Sequence, residues 1–260
     1  MLALAFRFAD RSPVAAYLRL EIRRQLRNRR FVIFTIAFPV ILYVLYTAVL
    51  ETDTNGPVAG LAWPVYFLVS MASYGAIGAA MSQANPIAAE RASGWTRQLR
   101  VTPLPGSAYV TGKLLSAVLL TLPALVLVSV AGASVNHVDL RPAAWVELVV
   151  GLALSSVPFA ALGILLGYLF DTDSAQGAMV LTFFGMAILG GLFAPIEAFP
   201  DPLATIARVL PSYHLAAIGR AIAADRLPDL VDVIVLTAYA VVLGGLAGWR
   251  YLRADARAHG

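Results

Sequence analysis

Side chains able to do covalent or metal chemistry are sparse in this sequence. It contains no cysteine, so disulfides and thiolate metal sites are excluded. Its histidines, His137, His214 and His259, stand far apart with no ligand spacing, and no metal site is expected. The nearest approach to a phosphate-cradling loop runs from Gly106 to Gly112-Lys113-Leu114. A nucleotide-binding loop needs Gly-x-x-x-x-Gly-Lys-Ser/Thr; this run has one residue too many and puts Leu114 where the hydroxyl belongs. No cofactor and no catalytic residue are therefore expected on this chain, and any ATP and Mg must sit on a partner.

The charged residues grouped most suggestively lie in Asn85-Pro86-Ile87-Ala88-Ala89-Glu90-Arg91-Ala92-Ser93-Gly94. Asn85-Pro86 is a helix start and Gly94 a stop, so Glu90 and Arg91 ride one short helix. Thr102-Pro103 breaks the chain again, and Ser107 is placed to cap the next element. A short helix carrying charge, followed by the large aromatic Trp95, suits docking to another protein; an ordinary solvated connector is the plainer alternative. The N-terminal segment has a second such pattern. Ser12-Pro13 opens a helix on which Val14, Tyr17, Leu18, Ile22 and Leu26 share one face. Arg19, Arg23, Arg24, Arg27 and Arg30 gather on the other. That pattern predicts an amphipathic helix lying in a membrane interface, its arginines turned to lipid phosphates or to a partner protein. The same arginines also serve simply to set topology.

The elements that position these residues follow from composition. Of 260 residues 60% are hydrophobic and 13% charged, so lipid is the natural solvent. Charge-free or nearly charge-free runs at about 31–50, 60–83, 114–136, 148–170, 174–196 and 231–249 are each long enough to cross a bilayer. The first, 20 residues at 1.5 Å rise, spans roughly 30 Å. Unsatisfied backbone cannot be left in lipid, so each run should be helical. The expected fold is an all-α integral membrane domain, 1–260, with six transmembrane helices. Of the 19 basic residues only Lys113 is a lysine. Eight fall in 1–30, four in 84–113 and three in 250–260, whereas Arg141, Arg208, Arg220 and Arg226 fall in the opposite loops. This bias predicts both termini in the cytoplasm.

Between the last two runs, Asp201-Pro202 starts one amphipathic helix and Pro211-Ser212 a second. These are expected to be short re-entrant helices at the outer face, with Pro211, His214 and Arg220 anchoring them or meeting a lipid phosphate. No carboxylate or arginine lies near the middle of a run, which argues against proton-coupled transport. The polar residues that remain, among them Tyr74, Gln176 and Thr182, are candidates for a substrate pathway.

Glu90-Arg91-x-x-Gly94, Leu99, Thr102-Pro103-Leu104 and Gly112-Lys113-Leu114-Leu115 together resemble the ABC-2 type transporter permease family. The resemblance continues through Gly190-Gly191-Leu192-Phe193-Ala194-Pro195-Ile196-Glu197, Leu210-Pro211-Ser212-Tyr213-His214 and Arg220. Trp95 departs from the threonine, and Arg97 from the acidic residue, common at those positions. The resemblance implies the transmembrane subunit of a bacterial exporter in the inner membrane, paired with a second copy or a related permease. It also implies two cytosolic ATPase subunits, with Glu90, Arg91, Gly94, Leu99, Thr102 and Pro103 as the coupling residues. Membrane lipids are the other expected partner; nucleic acid is not one. The cargo expected is an amphiphilic drug-like, lipid-like or glycan molecule. Two other classes stay open. One is a membrane-embedded enzyme acting on lipid head groups, for which Asp171 and Asp173 are the nearest carboxylate pair, more simply read as helix caps. The other is a non-transporting membrane anchor or assembly factor.

Overall fold

The computed structural model describes residues 13–29, 32–50, 56–94 and 106–256. Among these the chain is helical throughout, apart from an isolated bridge between Val58 and Leu61. Helix α1 is Pro13–Leu26, and a π-helical turn, Val32–Ala37, leads into α2, Phe38–Leu50. Next come α3 (Trp63–Met81), α4 (Ala84–Ala92), α5 (Gly106–Leu119) and α6 (Thr121–Val135). They are followed by α7 (Pro142–Ser155), α8 (Val157–Leu169) and α9 (Thr172–Leu189). After a 3-10 turn at Ile196–Ala198 lie α10 (Asp201–Ala207), α11 (Pro211–Ala223) and α12 (Leu230–Ala256).

Three long helices are broken in the same way. Pro86, Pro123 and Pro158 each lack the N–H that would bond four residues back, and each ring crowds that carbonyl. The breaks fall just before them, at Ser82-Gln83, Leu120 and Ser156. Hydroxyls take up carbonyls near two of them: Thr121 Oγ1 donates to Val118 O (2.7 Å) and Ser156 Oγ to Ala153 O (2.6 Å). Taken through these breaks, Trp63–Ala92, Tyr109–Val135 and Pro142–Leu169 are each one run long and apolar enough to cross a membrane. Val32–Val49 and Leu230–Tyr251 are two more. Mean hydropathy in these five runs lies between 1.4 and 2.5. Helix α9, at 18 residues, opens on the polar turn Thr172–Gln176.

Helix α3 is the axis of the bundle, buried continuously from Tyr66 to Met81. A helix apolar on every side belongs at a centre. Helices α2, α6, α8, α9 and α11 pack around it, and α12 packs along α8. The outer surface stays apolar: Ile41, Val130, Leu154, Leu181, Ile234 and Val241 are all exposed. In water such a belt would drive aggregation; in lipid it costs nothing.

The fifth charge-free run was expected to stay helical to residue 196, and the structure ends it at Leu189. Gly191 adopts φ +76, Leu192 N–H returns to Ala187 O (3.0 Å) and Gly191 N–H to Ile188 O (3.3 Å). This is a Schellman stop, with Leu192 buried beneath it. Other ends differ from the sequence reading because charge-free stretches understate helices with polar ends. The third helical run starts at Gly106 rather than 114, and the fourth at Pro142 rather than 148. In the latter, Glu147 is kept in the helix by a two-pronged pair with Arg141 (3.2 and 2.7 Å).

Candidate functional site

Four charges and one phenol from three helices meet at the end of the bundle that carries α1. Lys113 of α5 is wholly buried, Glu21 of α1 is 2% exposed and Glu90 of α4 is 5% exposed. The Lys113 ammonium donates to Glu21 Oε1 at 2.9 Å and to Glu90 Oε1 at 2.8 Å. Arg24 Nη1, from α1, reaches the same Glu90 oxygen at 3.1 Å, and Tyr109 Oη donates to Glu90 Oε2 at 2.6 Å. Two carboxylates against an ammonium and a guanidinium leave the cluster neutral. That balance is what makes burying it tolerable, since a single unpaired ion there would cost several kcal/mol.

Arg91, next in sequence, faces the other way. Its Nη1 donates to Gly167 O (2.8 Å) and Phe170 O (3.3 Å), and its guanidinium lies 5.5 Å from the centre of the Tyr168 ring. It therefore closes the last turn of α8, where free carbonyls and the helix dipole favour a cation. Between them Glu90 and Arg91 pin α4 to α1 and α5 on one side and to α8 on the other. Gly163 and Gly167 let α8 come this close: a Cβ on them would stand 2.7 Å from Met81 O and from Ala84 O, respectively.

On α1, read from the sequence as an amphipathic helix lying in a membrane interface, two polar side chains are buried. Among the described side chains of α1, from Leu18 on, the buried ones are Glu21 and Gln25, with Leu18 and Ile22 half-buried beside them, whereas Leu26 is exposed. The reason is Lys113: a carboxylate with a buried cation to meet wins the inward face over leucine. Arg19, Arg23, Arg24 and Arg27 all remain on the surface. Gly94 ends α4 with φ +71, which suits the residue after the cap. Leu99, Thr102 and Pro103 lie outside the described residues.

Beside the cluster opens a cavity of about 850 Å³ between α1, the π-helical turn, α3, α4 and α9. Tyr74 and Gln176 line it, and Thr182 does not. At the far end of the bundle Pro211 begins α11, His214 Nδ1 meets Asp232 Oδ1 at 2.7 Å, and Arg220 lies over the rings of Tyr66 and Tyr213. Ser212 Oγ donates to Met186 O at 2.7 Å, tying α11 to the end of α9. Asp171 caps α9 by accepting from Ser174 N–H at 2.8 Å, and that bond holds its carboxyl below the usual range. Asp173 sits in the first turn of the same helix. Both are exposed, and Asp171 is occupied as a cap.

Residues 59–249 match the family model described as ABC-2 family transporter protein. The chain belongs to the ABC-2 transporter family. Over 234 residues it is 27% identical to a protein of Bacillus subtilis (strain 168) named "Putative transport permease YvfS", covering 90% of this chain and 94% of that one. This ABC-2 chain is thus a transporter permease and a membrane protein, and the family as a whole works with a partner ATPase.

Proposed function

We propose that this permease is the transmembrane half of an exporter driven by a separate ATPase pair. It would stand in a bacterial inner membrane as a dimer with a second copy or a related permease, both termini in the cytoplasm. The observation that carries this reading is the Glu21–Lys113–Glu90–Arg24 cluster. It joins α1, which carries exposed arginines, and α4 to α5, which continues through α6 across the bundle. An ATPase pressing on α4 cannot move it alone; α1 and α5 must follow, and Arg91 carries α8 with them. Among the described residues no such cluster surrounds Asp171, whose carboxylate is taken up in capping α9, and this favours transport over lipid-modifying chemistry.

The test is to purify the chain from its native host in mild detergent and ask whether an ATPase accompanies it. With wild-type chain, co-purification and stimulated ATP turnover are expected. Glu90→Gln should keep the ATPase bound while stimulation falls about tenfold, the scale of losing one charge-assisted contact. Purification without any ATPase would overturn the reading.

A further inference from the structure

The residues lining the cavity beside the charge cluster include polar atoms with no hydrogen-bond partner among the described residues. Gln25 is 5% exposed, lines the cavity, and its Nε2 has no hydrogen-bond partner. Ser82 and Asn85, from the break between α3 and α4, line the same space, and their Oγ and Oδ1 are likewise buried without partners. Three such atoms on residues around one space depart from the rule that buried polar groups are paired, and each is destabilising while unmet. Arg24 and Arg27 also line the cavity. Arg24 spends one Nη on Glu90 and is still 56% exposed; Arg27 makes no ion pair among the described residues.

The rest of the wall is apolar. Phe183 meets the Tyr74 ring at a tilt and Phe184 meets it edge-on, with ring centres 4.7 and 6.2 Å away. Phe34, 61% exposed, and Val180 flank the space on the side facing the lipid. The π-helical turn holding Phe34 and Thr35 forms this wall, and wide turns of this kind recur at binding sites.

We infer that this cavity binds an anionic phosphate-bearing amphiphile. Its phosphate sits between the Arg24 and Arg27 guanidiniums and accepts from Gln25 Nε2 and Ser82 Oγ. A head-group hydroxyl donates to Asn85 Oδ1, and its tails leave past Phe34. Guanidinium forks match phosphate oxygens, and the amide, hydroxyl and carbonyl atoms gain the partners they lack. A volume of about 850 Å³ holds a head group and the first part of its chains, the rest lying in lipid. The inference rests on the transport reading only in making this ligand the cargo; binding is measured without an ATPase.

The experiment uses the full chain in neutral detergent, titrated with dioctanoyl phosphatidylglycerol, dioctanoyl phosphatidylcholine, dioctanoylglycerol and glycerol 3-phosphate. The first should bind about tenfold or more tighter than the second and third, and glycerol 3-phosphate should not compete at equal concentration. Gln25→Leu and Asn85→Leu should each weaken phosphatidylglycerol about tenfold while leaving thermal stability equal or higher, because each removes an unmet polar group. Arg208→Gln, at the other end, should change nothing. Equal affinity for phosphatidylglycerol and phosphatidylcholine, full affinity in both leucine variants, or equal competition by glycerol 3-phosphate would overturn the proposal. Loss of binding accompanied by loss of stability in both variants would also count against it, since a purely packing role predicts that outcome.

Discussion

Lys113 holds two carboxylates that depend on it unequally. Glu90 also accepts from Arg24 and Tyr109, whereas Glu21 has Lys113 as its one cation among the described residues. Lys113→Met should therefore strand Glu21 and lower stability by roughly 3–5 kcal/mol. Adding Glu21→Gln should recover most of that loss, because a neutral amide is far cheaper to bury. Thermal unfolding of the two variants and of Glu21→Gln alone completes a double-mutant cycle, and additive losses would sink the pairing. Asp171 gives a pH-dependent counterpart. Its carboxyl is held below the usual range by Ser174 N–H, so its contribution is present above the unfolded-state value. That contribution disappears as pH falls through the lowered folded-state value. Asp171→Ala should reduce the melting temperature at pH 7 and converge with wild type in acid; a constant difference would refute the cap. Of these residues, Glu90 and Arg91 were legible because they sit on a short helix with clear start and stop signals. Lys113 was conspicuous as the sole lysine, yet its neighbours invited comparison with a nucleotide loop. Glu21 was hidden, because periodicity scores a carboxylate as outward and cannot see a cation arriving from 92 residues away.

Among the elements, α4 is the tail of α3 offset at Ser82-Gln83, rather than a helix on a separate loop. Under the proposed coupling, a displacement at Glu90 would pass straight to the central helix as well as across the ion cluster. The close approach of α8 fixes that joint. Gly163→Ala sets a methyl 2.7 Å from Met81 O and 2.8 Å from Met81 Cα, backbone atoms that cannot step aside. It should cost roughly 1–3 kcal/mol. Gly185→Ala, with nothing within 4 Å of its added carbon, should be neutral or gain up to about 1 kcal/mol through helix propensity. Both can be read from the fraction of monodisperse protein after heating in detergent, and equal behaviour would show that α8 does not pack here as described. The existence of these helices was readable from hydropathy. Their ends were less so, since charge counting stops a helix at its first ion, whereas Arg141–Glu147 and Lys113–Glu21 keep ions inside. The stop at Gly190-Gly191 depends on backbone geometry that hydropathy does not register.

For the whole molecule the open question is parity: five helical runs give termini on opposite sides, six give them on the same side. Arg141 Nε meets Asp225 Oδ1 at 2.6 Å, and a Cβ on Gly60 would lie 3.8 Å from Arg226 Nη2, so these three loops share one end. At the other end Arg91 meets Phe170 O, and Tyr251 stacks 6.4 Å from Tyr109. Helix α9 starts beside Phe170 at this second end. It finishes against Ser212 at the start of α11, whose last turn leads to Asp225 at the first end. The proposed topology takes that course as a sixth crossing, with its polar first turn at the interface. The chain has no cysteine, so single cysteines can be placed without background. In intact cells a membrane-impermeant maleimide should label Asp139→Cys and Arg208→Cys directly. Arg29→Cys, Asp171→Cys and Arg253→Cys should react only after permeabilisation, as the concentration of arginine at that end requires. If α9 does not cross, Arg208→Cys becomes protected and Arg253→Cys becomes reachable from outside. The α4 surface would then no longer share a compartment with the C-terminal end of α12, which carries Arg250 and Arg253.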